Sequence, residues 1–276
     1  MIDLHCHLLP GLDDGPRTLV EALDMCVMAA ADGTTVVAAT PHQMDGLHNV
    51  CSDDISRGID ELQRHVDQRG IALQIVPGGE VHLACCPGWE LALGGAMTLG
   101  NTGRYVLVEP SGAALPPILR DALARIRGDG VTPIIGHPER NPVFRNCPEF
   151  LCSLVADGNL AQVTAGSLTG LFGGKTQGVA LDWVERRLIH LVATDAHSPV
   201  WRMPILSEAK PALLSVLPAD DVDEILDERP KRILAGEHID IPRPLERKRG
   251  WLRRLTLRVQ GLRCARRGGA SVLARK

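Results

Sequence analysis

Residues 2–15 restrict the possible fold of this chain more than any other stretch. They begin as an apolar run that carries His5 and His7, and they end in a short loop with Asp13 and Asp14. In a β-strand, residues i and i+2 point to the same face, so the two imidazoles would lie side by side near the end of a strand. The pattern predicts half of a metal-binding site, although an ordinary surface turn with two histidines and two acids would contain the same residues.

Short apolar, β-branched segments alternate with longer helix-like segments along the 276 residues, as is typical of a parallel α/β fold. A chain of this length suits one large α/β domain or two small ones. The predicted strands are Ile2–Leu8, Thr35–Thr40, Ala72–Pro77, Arg104–Glu109, Thr132–Gly136, Leu160–Ala165 and Ile189–Thr194.

Helical patterns occupy most of the intervals between these strands. The first predicted helix begins behind a capping box, in which Thr18 is the N-cap and Glu21 stands three residues further on. Its apolar positions have helical spacing and are Leu19, Leu23, Cys26 and Val27. The other predicted helical regions are Asp53–Gly70, Pro116–Gly130, the segment around Trp183, and Ala219–Leu234.

A His, Asp or Glu stands at the C-terminal end of six of the seven predicted strands. In a barrel of parallel strands these ends converge on one face, where such enzymes carry their chemistry. Any one of these histidines alone would more often be a solvated or core residue than a ligand, but six arrivals at one structural position favour a shared metal site. With Asp14 from the first loop, the predicted metal ligands are His5, His7, Asp14, His42, Glu80, Glu109, His137, Asp195 and His197.

Nine nitrogen and oxygen ligands exceed the needs of one ion. They suit two or three Mn²⁺, Fe or Zn²⁺ ions with bridging carboxylates, and adjacent divalent ions activate water and stabilise the attacking and leaving oxygens of a displacement. Arg140 and Arg202 follow two of the motifs, and a guanidinium matches the oxygens of a phosphate bidentately. The combination predicts phosphoester hydrolysis, with a surface ion pair as the alternative for each arginine.

The sequence indicates a cytoplasmic protein with free thiols. Its N-terminus lacks the basic segment of a signal peptide, and its apolar runs are shorter than the roughly 20 residues that cross a bilayer. Eight cysteines are present without a CxxC pair; Cys6 lies between two predicted ligands, and Cys85 and Cys86 are adjacent. In this setting free cysteines are expected rather than disulfides.

The net charge of −3 divides into an acidic body and a basic tail. Residues 245–276 have a balance of +10, whereas the other 244 residues have −13. We therefore predict a catalytic domain at 1–241 and a basic tail at 242–276. In the tail, an amphipathic helical spacing would suit an anionic membrane or a partner, and a solvated tail is the alternative. The spaced residues are Trp251, Leu255, Val259 and Leu262. Nucleic acid is not an expected partner, since the body is acidic and only eight aromatic residues are available for stacking.

Six motifs together resemble the polymerase-and-histidinol-phosphatase (PHP) family, and more closely its CpsB/CapC-type branch of bacterial capsule and exopolysaccharide tyrosine phosphatases. The motifs are IDLHCHLLPGLDDGP at 2–16, ATPH at 39–42, GGE at 78–80, VEP at 108–110, GHPER at 136–140 and TDAHS at 194–198. The resemblance implies a distorted (β/α)₇ TIM-like barrel with the metal site at the C-terminal ends of the strands. It also implies a cytoplasmic enzyme, with a trinuclear and usually manganese centre, that removes phosphate from the tyrosine-rich tail of a bacterial tyrosine kinase.

The same resemblance implies a role for each site residue. It assigns one ion to His5, His7, Glu80 and Asp195, a second to Glu80, Glu109 and His137, and a third to Asp14, His42 and His197. A hydroxide bridging the ions would attack phosphorus in line, while Arg140 and Arg202 hold the phosphoryl oxygens. Asp14 is a candidate general acid as well as a ligand, and His48 is a candidate substrate-binding residue.

Four other functions compete with this interpretation. A cysteine-based tyrosine phosphatase needs a Cys and an Arg six positions apart, as Cys51 and Arg57 are, but the five residues between them lack glycine and include two acids. Many amidohydrolases carry a lysine where Glu109 stands. A histidinol-phosphatase-like enzyme for small phosphomonoesters would share the whole metal site. A metal-stabilised scaffold without activity would normally have lost some of the nine ligands.

Overall fold

A computed structural model of the protein describes residues 1–83, 95–240 and 242–245. In this part of the chain there are nine strands, and every strand pairing is parallel. The strands are β1 (Ile2–Cys6), β2 (Val36–Ala39), β3 (His42–Gln43), β4 (Gln74–Pro77), β5 (Glu80–Leu83), β6 (Tyr105–Pro110), β7 (Thr132–Gly136), β8 (Leu160–Thr164) and β9 (Leu191–Ala193). The predicted parallel α/β architecture is therefore confirmed, and most of the predicted strands are slightly shorter in the structure.

The described strands form two sheets, one in the order β1-β2-β4 and the other in the order β3-β5-β6-β7-β8-β9. Strands β3 and β5 are short continuations of β2 and β4, and the sequence did not predict them. Gly78 and Gly79 separate β4 from β5, and both lie against other residues: a Cβ at Gly78 would stand 2.8 Å from the Thr40 side chain, and one at Gly79 would collide with the side-chain oxygen of Gln43. Only glycine allows the chain to pass this point.

Backbone hydrogen bonds also join the first and last strand positions. The amide of Asp195, two residues beyond β9, donates to the carbonyl of His5 at 2.8 Å, and the amide of His7 donates to the carbonyl of Ala196 at 2.9 Å. Buried Asp3 adds to this connection, since its carboxylate accepts hydrogen bonds from the backbone amide and the hydroxyl of Thr194. These contacts place the end of β1 beside the end of β9.

Ten α-helices lie among the described residues, mostly in the intervals between strands. They are α1 (Leu19–Ala31), α2 (Ser52–Gln68), α3 (Pro116–Gly128), α4 (Pro142–Asn146), α5 (Pro148–Ala156), α6 (Ala165–Thr169), α7 (Gly174–Glu185), α8 (Lys210–Leu214), α9 (Ala219–Asp223) and α10 (Arg229–Leu234). Short 3₁₀-helices occupy Leu99–Asn101 and Ser207–Ala209.

Helix α1 confirms the predicted capping box. The Thr18 hydroxyl accepts from the amide of Glu21, and the Glu21 carboxylate accepts from the amide of Thr18, both at 3.3 Å. Among the apolar positions with helical spacing, Leu23 and Cys26 are buried, whereas Val27 is 48% exposed. The buried face instead includes Ala22, Met25 and Ala29.

The last predicted helical region, Ala219–Leu234, is helical over its whole length, but it is not α-helical throughout. A π-helical turn at Glu224–Glu228 separates α9 from α10. Pro230 lies at the start of α10 and has no amide hydrogen to donate to the preceding turn. After α10, the segment 242–245 lies against the end of α7, where the amide of Leu245 donates to the carbonyl of Arg186 at 2.8 Å.

The two faces of β6–β9 are buried in different clusters. Leu107, Ile134, Leu160 and Leu191 point into one cluster together with Leu4 of β1. Their sequence neighbours, such as Val106, Ile135 and Val192, pack against the helices. Strands with both faces covered show this alternation. The site residues lie above the cluster that contains Leu107 and Leu4.

Among the described residues, no helix is both long and apolar enough to cross a bilayer. The cysteines in this part of the chain are free, as predicted; they are Cys6, Cys26, Cys51, Cys147 and Cys152. Cys85, Cys86 and the predicted amphipathic segment from Trp251 to Leu262 lie outside the described residues.

Candidate metal centre

A cleft of about 380 Å³ opens where the strands end. Seven of the nine predicted ligands line it, together with Arg140 and Arg202. His5 and His7 lie beneath it and are fully buried. The lining ligands are Asp14, His42, Glu80, Glu109, His137, Asp195 and His197. The structure therefore brings all nine residues to one place, although they come from six separate segments of the chain.

Glu80, the first residue of β5, lies at the middle of the group. Its carboxylate oxygens are 3.3 Å from His5 Nε2, 3.1 Å from His42 Nδ1 and 3.0 Å from His137 Nε2. Burial disfavours the charged carboxylate, but the positive charge of His5 and the hydrogen bond from His137 hold the pKa of Glu80 well below its usual range. An ionised carboxylate that faces several imidazoles has the geometry expected of a bridging ligand.

Asp14 and His197 form the outer part of the group. Asp14 Oδ1 lies 3.3 Å from His197 Nε2 and 3.6 Å from His42 Nε2. The hydrogen bond from His197 outweighs the effect of burial and lowers the pKa of Asp14. Asp14 is thus a carboxylate that is already ionised, which suits a ligand better than a proton donor.

Four overlapping sets of donor atoms have the mutual distances, within 4.8 Å, of atoms that share one ion. Each set shares at least two residues with one of the groups that the resemblance implies, but His7, His42 and His137 each also appear in a set with residues of a different group. The sets are His7, Asp14, His42 and His197; His5, His7 and Glu80; His5, His137 and Asp195; and His42, Glu80 and Glu109.

Asp195 connects the ligand group to both arginines. Its Oδ2 contacts the guanidinium groups of Arg140 and Arg202, and its Oδ1 lies 3.3 Å from His5 Nε2. Burial opposes ionisation, but the charges of His5, His137 and Arg140 and a hydrogen bond from His7 hold the pKa of Asp195 well below its usual range. One carboxylate therefore orients two guanidiniums toward the cleft.

Three side chains of the site stand on left-handed backbone. The φ angles are +33° at His137, +51° at Asp195 and +54° at Arg202. Non-glycine residues adopt this conformation rarely and at a cost of about 1–3 kcal/mol each. All three lie just beyond strand ends or within the loop that follows β9, where the chain turns to direct their side chains into the cleft.

Comparison with known proteins agrees with this geometry. A family model for capsular polysaccharide synthesis, CpsB/CapC, matches residues 1–235. The chain belongs to the CpsB/CapC family. The resemblance predicted from the motifs is therefore confirmed.

Relatives of this CpsB/CapC protein include the tyrosine-protein phosphatase YwqE of Bacillus subtilis, which is 31% identical over 251 residues and covers 90% of this chain and 98% of YwqE. The tyrosine-protein phosphatase CpsB of Streptococcus agalactiae serotype V is 28% identical over 244 residues, which is 87% of this chain and all of CpsB. A solved structure from work on YwqE and on CpsB of Streptococcus pneumoniae, described as unique metal-dependent tyrosine phosphatases, superposes with a TM-score of 0.84 at 31% identity and covers 90% of this chain and all of that one.

More distant structures share the fold alone. The histidinol phosphate phosphatase of Lactococcus lactis, solved with zinc, L-histidinol and phosphate, gives a TM-score of 0.51 at 14% identity, with 78% of this chain and 93% of that chain covered. At this identity the similarity carries no information about the substrate.

The ligand set of the CpsB/CapC protein fits divalent metal ions by two observations. All nine donors are imidazole or carboxylate, which suit Mn²⁺, Fe and Zn²⁺. In addition, His42 Nδ1 and Glu80 Oε2 are buried 3.1 Å apart, yet neither atom has a hydrogen-bond partner of acceptable geometry among the described residues. Two buried polar atoms at this distance, without a hydrogen bond to each other, suit two ligands of one ion.

The sequence analysis did not predict that Gln162 and Asp13 would support the ligand histidines. Gln162 Oε1 lies 2.9 Å from His5 Nδ1, and Asp13 Oδ2 lies 2.6 Å from His7 Nδ1. Asp13 also accepts from the backbone amides of His42 and Gly15, so it fixes the first loop. In both contacts the partner bonds to Nδ1 of the histidine, so that Nε2 points toward the ligand group. Residues that do not bind the metal themselves commonly orient metal-binding histidines in this way. Gln162 stands on β8, the one predicted strand without a ligand, and this position was the available signal.

His82 and His48 lie close to the group in different ways. His82 was not predicted; it lines the cleft, and its Nδ1 is 3.2 Å from Glu109 Oε2. The hydrogen bond to Glu109 raises the pKa of His82. His48 stands apart from the lining residues of the cleft: it bonds to Asp45 at 2.6 Å, and its ring lies nearly parallel to that of His42 at 6.1 Å. A substrate-binding role of His48 stays a prediction.

The alternative cysteine site has a different geometry. Cys51 is exposed at the N-cap of α2, and its thiol donates to Asp54 Oδ2 at 2.9 Å. Arg57 pairs with the same carboxylate. A nucleophilic thiolate that receives a phosphate dianion needs backbone N–H groups and a free arginine around it, whereas Cys51 and Arg57 both face an acid.

Proposed function

We propose that this protein is a metal-dependent phosphatase that removes phosphate from phosphotyrosine on a protein of capsule or exopolysaccharide synthesis. The observation that carries the proposal is the convergence of nine imidazole and carboxylate side chains with two arginines at one cleft, in a chain that resembles a metal-dependent tyrosine phosphatase over 90% of its length. Two relatives that align with this chain over nearly their whole length are themselves named tyrosine-protein phosphatases.

Two or three divalent ions would be held by His5, His7, Asp14, His42, Glu80, Glu109, His137, Asp195 and His197. We propose manganese, with iron or zinc as alternatives that suit the same donors. When bound, such ions polarise the phosphoryl group and make water a better nucleophile. Glu80 is the proposed bridging ligand, because its two oxygens face different pairs of histidines, Oε1 facing His5 and His137 and Oε2 facing His7 and His42.

The side chains of the protein bind and orient the phosphoryl group. Arg140 and Arg202 are proposed to exchange their contacts with Asp195 for the phosphoryl oxygens, where a planar guanidinium forms paired hydrogen bonds to an anion. The same two charges stabilise the negative charge that grows in the transition state. The leaving tyrosyl oxygen has a pKa of about 10 and needs little protonation. This reduces the need for Asp14 as an acid, and its lowered pKa favours its role as a ligand.

We also propose that the two sheets make up one distorted (β/α)₇ TIM-like barrel. Counting β2 with β3 and β4 with β5 leaves seven strand positions. The hydrogen bonds of Asp195 to His5 and of His7 to Ala196 support closure between the last position and the first. The cluster to which Leu4, Ala38, Leu107, Ile134 and Leu191 contribute supports a shared interior.

The proposed physiological partner is the phosphotyrosine tail of a bacterial tyrosine kinase in the cytoplasm. We propose residues 1–241 as the catalytic domain and the basic tail, 242–276, as its contact with the kinase or with the inner membrane. The family match at 1–235 supports this division, and the charge of the tail supports an anionic contact surface. Nucleic acid is not a proposed partner.

The substrate test compares phosphate release from a phosphotyrosine peptide and from histidinol phosphate by the manganese-loaded full chain. We expect the peptide to have the higher kcat/KM. An equal or higher value for histidinol phosphate would keep the metal chemistry and transfer the substrate to the class of small phosphomonoesters. A lack of release from both would contradict the phosphatase assignment.

A further inference from the structure

A second groove, of about 270 Å³, lies beside the cleft. Most of its lining comes from two segments: residues 164–172, which start at the last residue of β8, and residues 200–208, which follow His197. Its apolar walls are Leu171, Phe172, Val200, Trp201 and Met203, and we call it the aromatic groove. Arg202 lines both the aromatic groove and the cleft, so the two cavities adjoin at that residue.

Apolar side chains of the aromatic groove are exposed to solvent over large fractions of their surface. Val200 is 84% exposed, Trp201 64% and Leu171 55%. When a tryptophan and neighbouring aliphatic side chains are exposed to water beside a polar cleft, they more often form a binding surface than result from accidental packing. None of these residues is needed to hold metal or phosphate, so the proposed chemistry leaves them without a role.

Each arginine of the cleft rests on one aromatic ring of the groove. The guanidinium carbon of Arg140 lies 4.9 Å from the ring centre of Phe172, and that of Arg202 lies 5.8 Å from the ring centre of Trp201. These distances are within the range of cation–π contacts. The two arginines that would bind the phosphoryl oxygens are therefore in direct contact with the two aromatic rings that would face an apolar substituent of the phosphate.

We propose that the aromatic groove binds the aromatic ring of the substrate's phosphotyrosine while Arg140 and Arg202 hold its phosphoryl group. This inference rests on the proposed function and deepens it. A single oxygen joins the ring to phosphorus, so a phosphoryl group at Arg202 brings the ring to the boundary between the two cavities. Apolar and aromatic walls match the ring, whereas the short aliphatic side chain of a phosphoserine would leave the groove unfilled. The groove would thus select aryl over alkyl phosphates.

Steady-state kinetics with the manganese-loaded full chain test the proposal through Trp201→Ala. We expect KM for free phosphotyrosine to rise roughly tenfold, which corresponds to about 1.4 kcal/mol of lost ring contact, and kcat to change little. The inhibition constant of inorganic phosphate reports on the metal centre and arginines without any ring, and we expect it to stay unchanged. Trp201→Phe should restore most of the affinity for phosphotyrosine.

Leu171→Ala provides a second variant at the opposite wall, and Val20→Ala is the matched control. Val20 is 61% exposed on α1 and lies outside the groove. An equal loss of affinity for phosphotyrosine and for inorganic phosphate would show that Trp201 acts through Arg202 and would overturn the proposal. So would unchanged KM in both groove variants, or an effect confined to peptides with an apolar residue next to the phosphotyrosine.

Failure of the groove and failure of the proposed function have different signatures. If the unmodified protein releases no phosphate from phosphotyrosine, the function itself is wrong and the groove proposal falls with it. If the unmodified protein is active, and Trp201→Ala and Leu171→Ala both leave KM for phosphotyrosine unchanged, only the groove proposal is wrong.

Discussion

Gln162 Oε1 and His5 Nδ1 lie 2.9 Å apart, and both side chains are buried. Because an amide oxygen only accepts, this contact places the hydrogen of His5 on Nδ1 and leaves Nε2 toward Glu80 and Asp195. The Gln162 amide nitrogen is itself fixed by the carbonyl of Val163 at 2.8 Å. The one predicted strand without a ligand thus orients a ligand on another strand.

The contact predicts that Gln162→Leu lowers metal affinity. The substitution removes the acceptor while preserving most of the volume, and loss of such an outer partner weakens metal binding roughly 10–100-fold. Competition with a chelator would measure the dissociation constant. Gln177→Leu is the matched control, because Gln177 is also buried but donates to the carbonyl of Leu168 away from the ligands; an equal loss of metal affinity in this control would contradict the explanation.

Metal binding should release protons and strengthen as pH rises. Burial opposes the charged forms of His5, His7 and His42, but their carboxylate neighbours raise the pKa of all three in the absence of metal. Protons therefore compete with ions for these nitrogens up to a higher pH than at an ordinary histidine. Calorimetry in buffers of different ionisation enthalpy would count the protons released, and metal affinity that is the same at pH 6 and pH 8 would contradict the prediction.

Arg140→Ala should lower kcat for phosphotyrosine by about 100-fold or more, since loss of one preorganised donor to transition-state charge typically has an effect of this size. Metal affinity should change far less. The matched control is Arg120→Ala, because Arg120 also pairs with a carboxylate, Asp157, and lies over an aromatic ring, Phe150, but stands outside the cleft. Comparable losses of kcat in both variants would show that the effect of Arg140 is not specific to the cleft.

His190 predicts a pH dependence of stability that is separate from the metal centre. Its Nδ1 accepts from the amide of Ala161, and burial together with the charge of Arg229 lowers its pKa to about 3 from 6.5. Because the folded-state pKa lies below the unfolded value, the stabilisation is fully present above pH 6.5 and is lost as pH falls toward 3.

The variant His190→Asn keeps an acceptor near the position of Nδ1 and removes the titration. Between pH 7 and pH 5, the wild type should lose about 2 kcal/mol more free energy of unfolding than this variant. Urea unfolding at the two pH values, with chelator present throughout, would measure the difference. Parallel losses in the two proteins would mean that His190 is protonated equally in the folded and unfolded states.

The site residues that could be predicted from the sequence are those that recur at the same structural position, the C-terminal end of a strand. Each of His5, His42, His137 and Asp195 lies near the end of an apolar strand pattern or just after it. Parallel strands present their C-terminal ends on one side, so convergence follows from topology alone. Glu80 was identified from its position after Val76 and Pro77, even though the short strand that it begins was not predicted. Two residues, as in β3, are too few to produce a periodic pattern.

The rest depends on contacts between distant segments. Gln162 is a neutral amide, and only its distance from His5, 157 positions earlier, gives it a role. Asp13 and Asp14 are adjacent in the sequence, but the turn directs Asp13 to His7 Nδ1 and Asp14 to His197. Val27 has helical spacing and is nevertheless exposed, because the packed face of α1 is centred on Ala22, Cys26 and Ala29.

The central claim is that the nine-residue centre, and not a cysteine, performs the hydrolysis. The most direct measurement is phosphate release from a phosphotyrosine peptide by chelated protein, before and after manganese is restored, in the wild type, His5→Ala, Cys51→Ser and the control His238→Ala, whose side chain is 78% exposed. We predict activity that requires manganese, is lost in His5→Ala, and is kept in Cys51→Ser and His238→Ala. Activity that persists without metal and disappears in Cys51→Ser would contradict the claim.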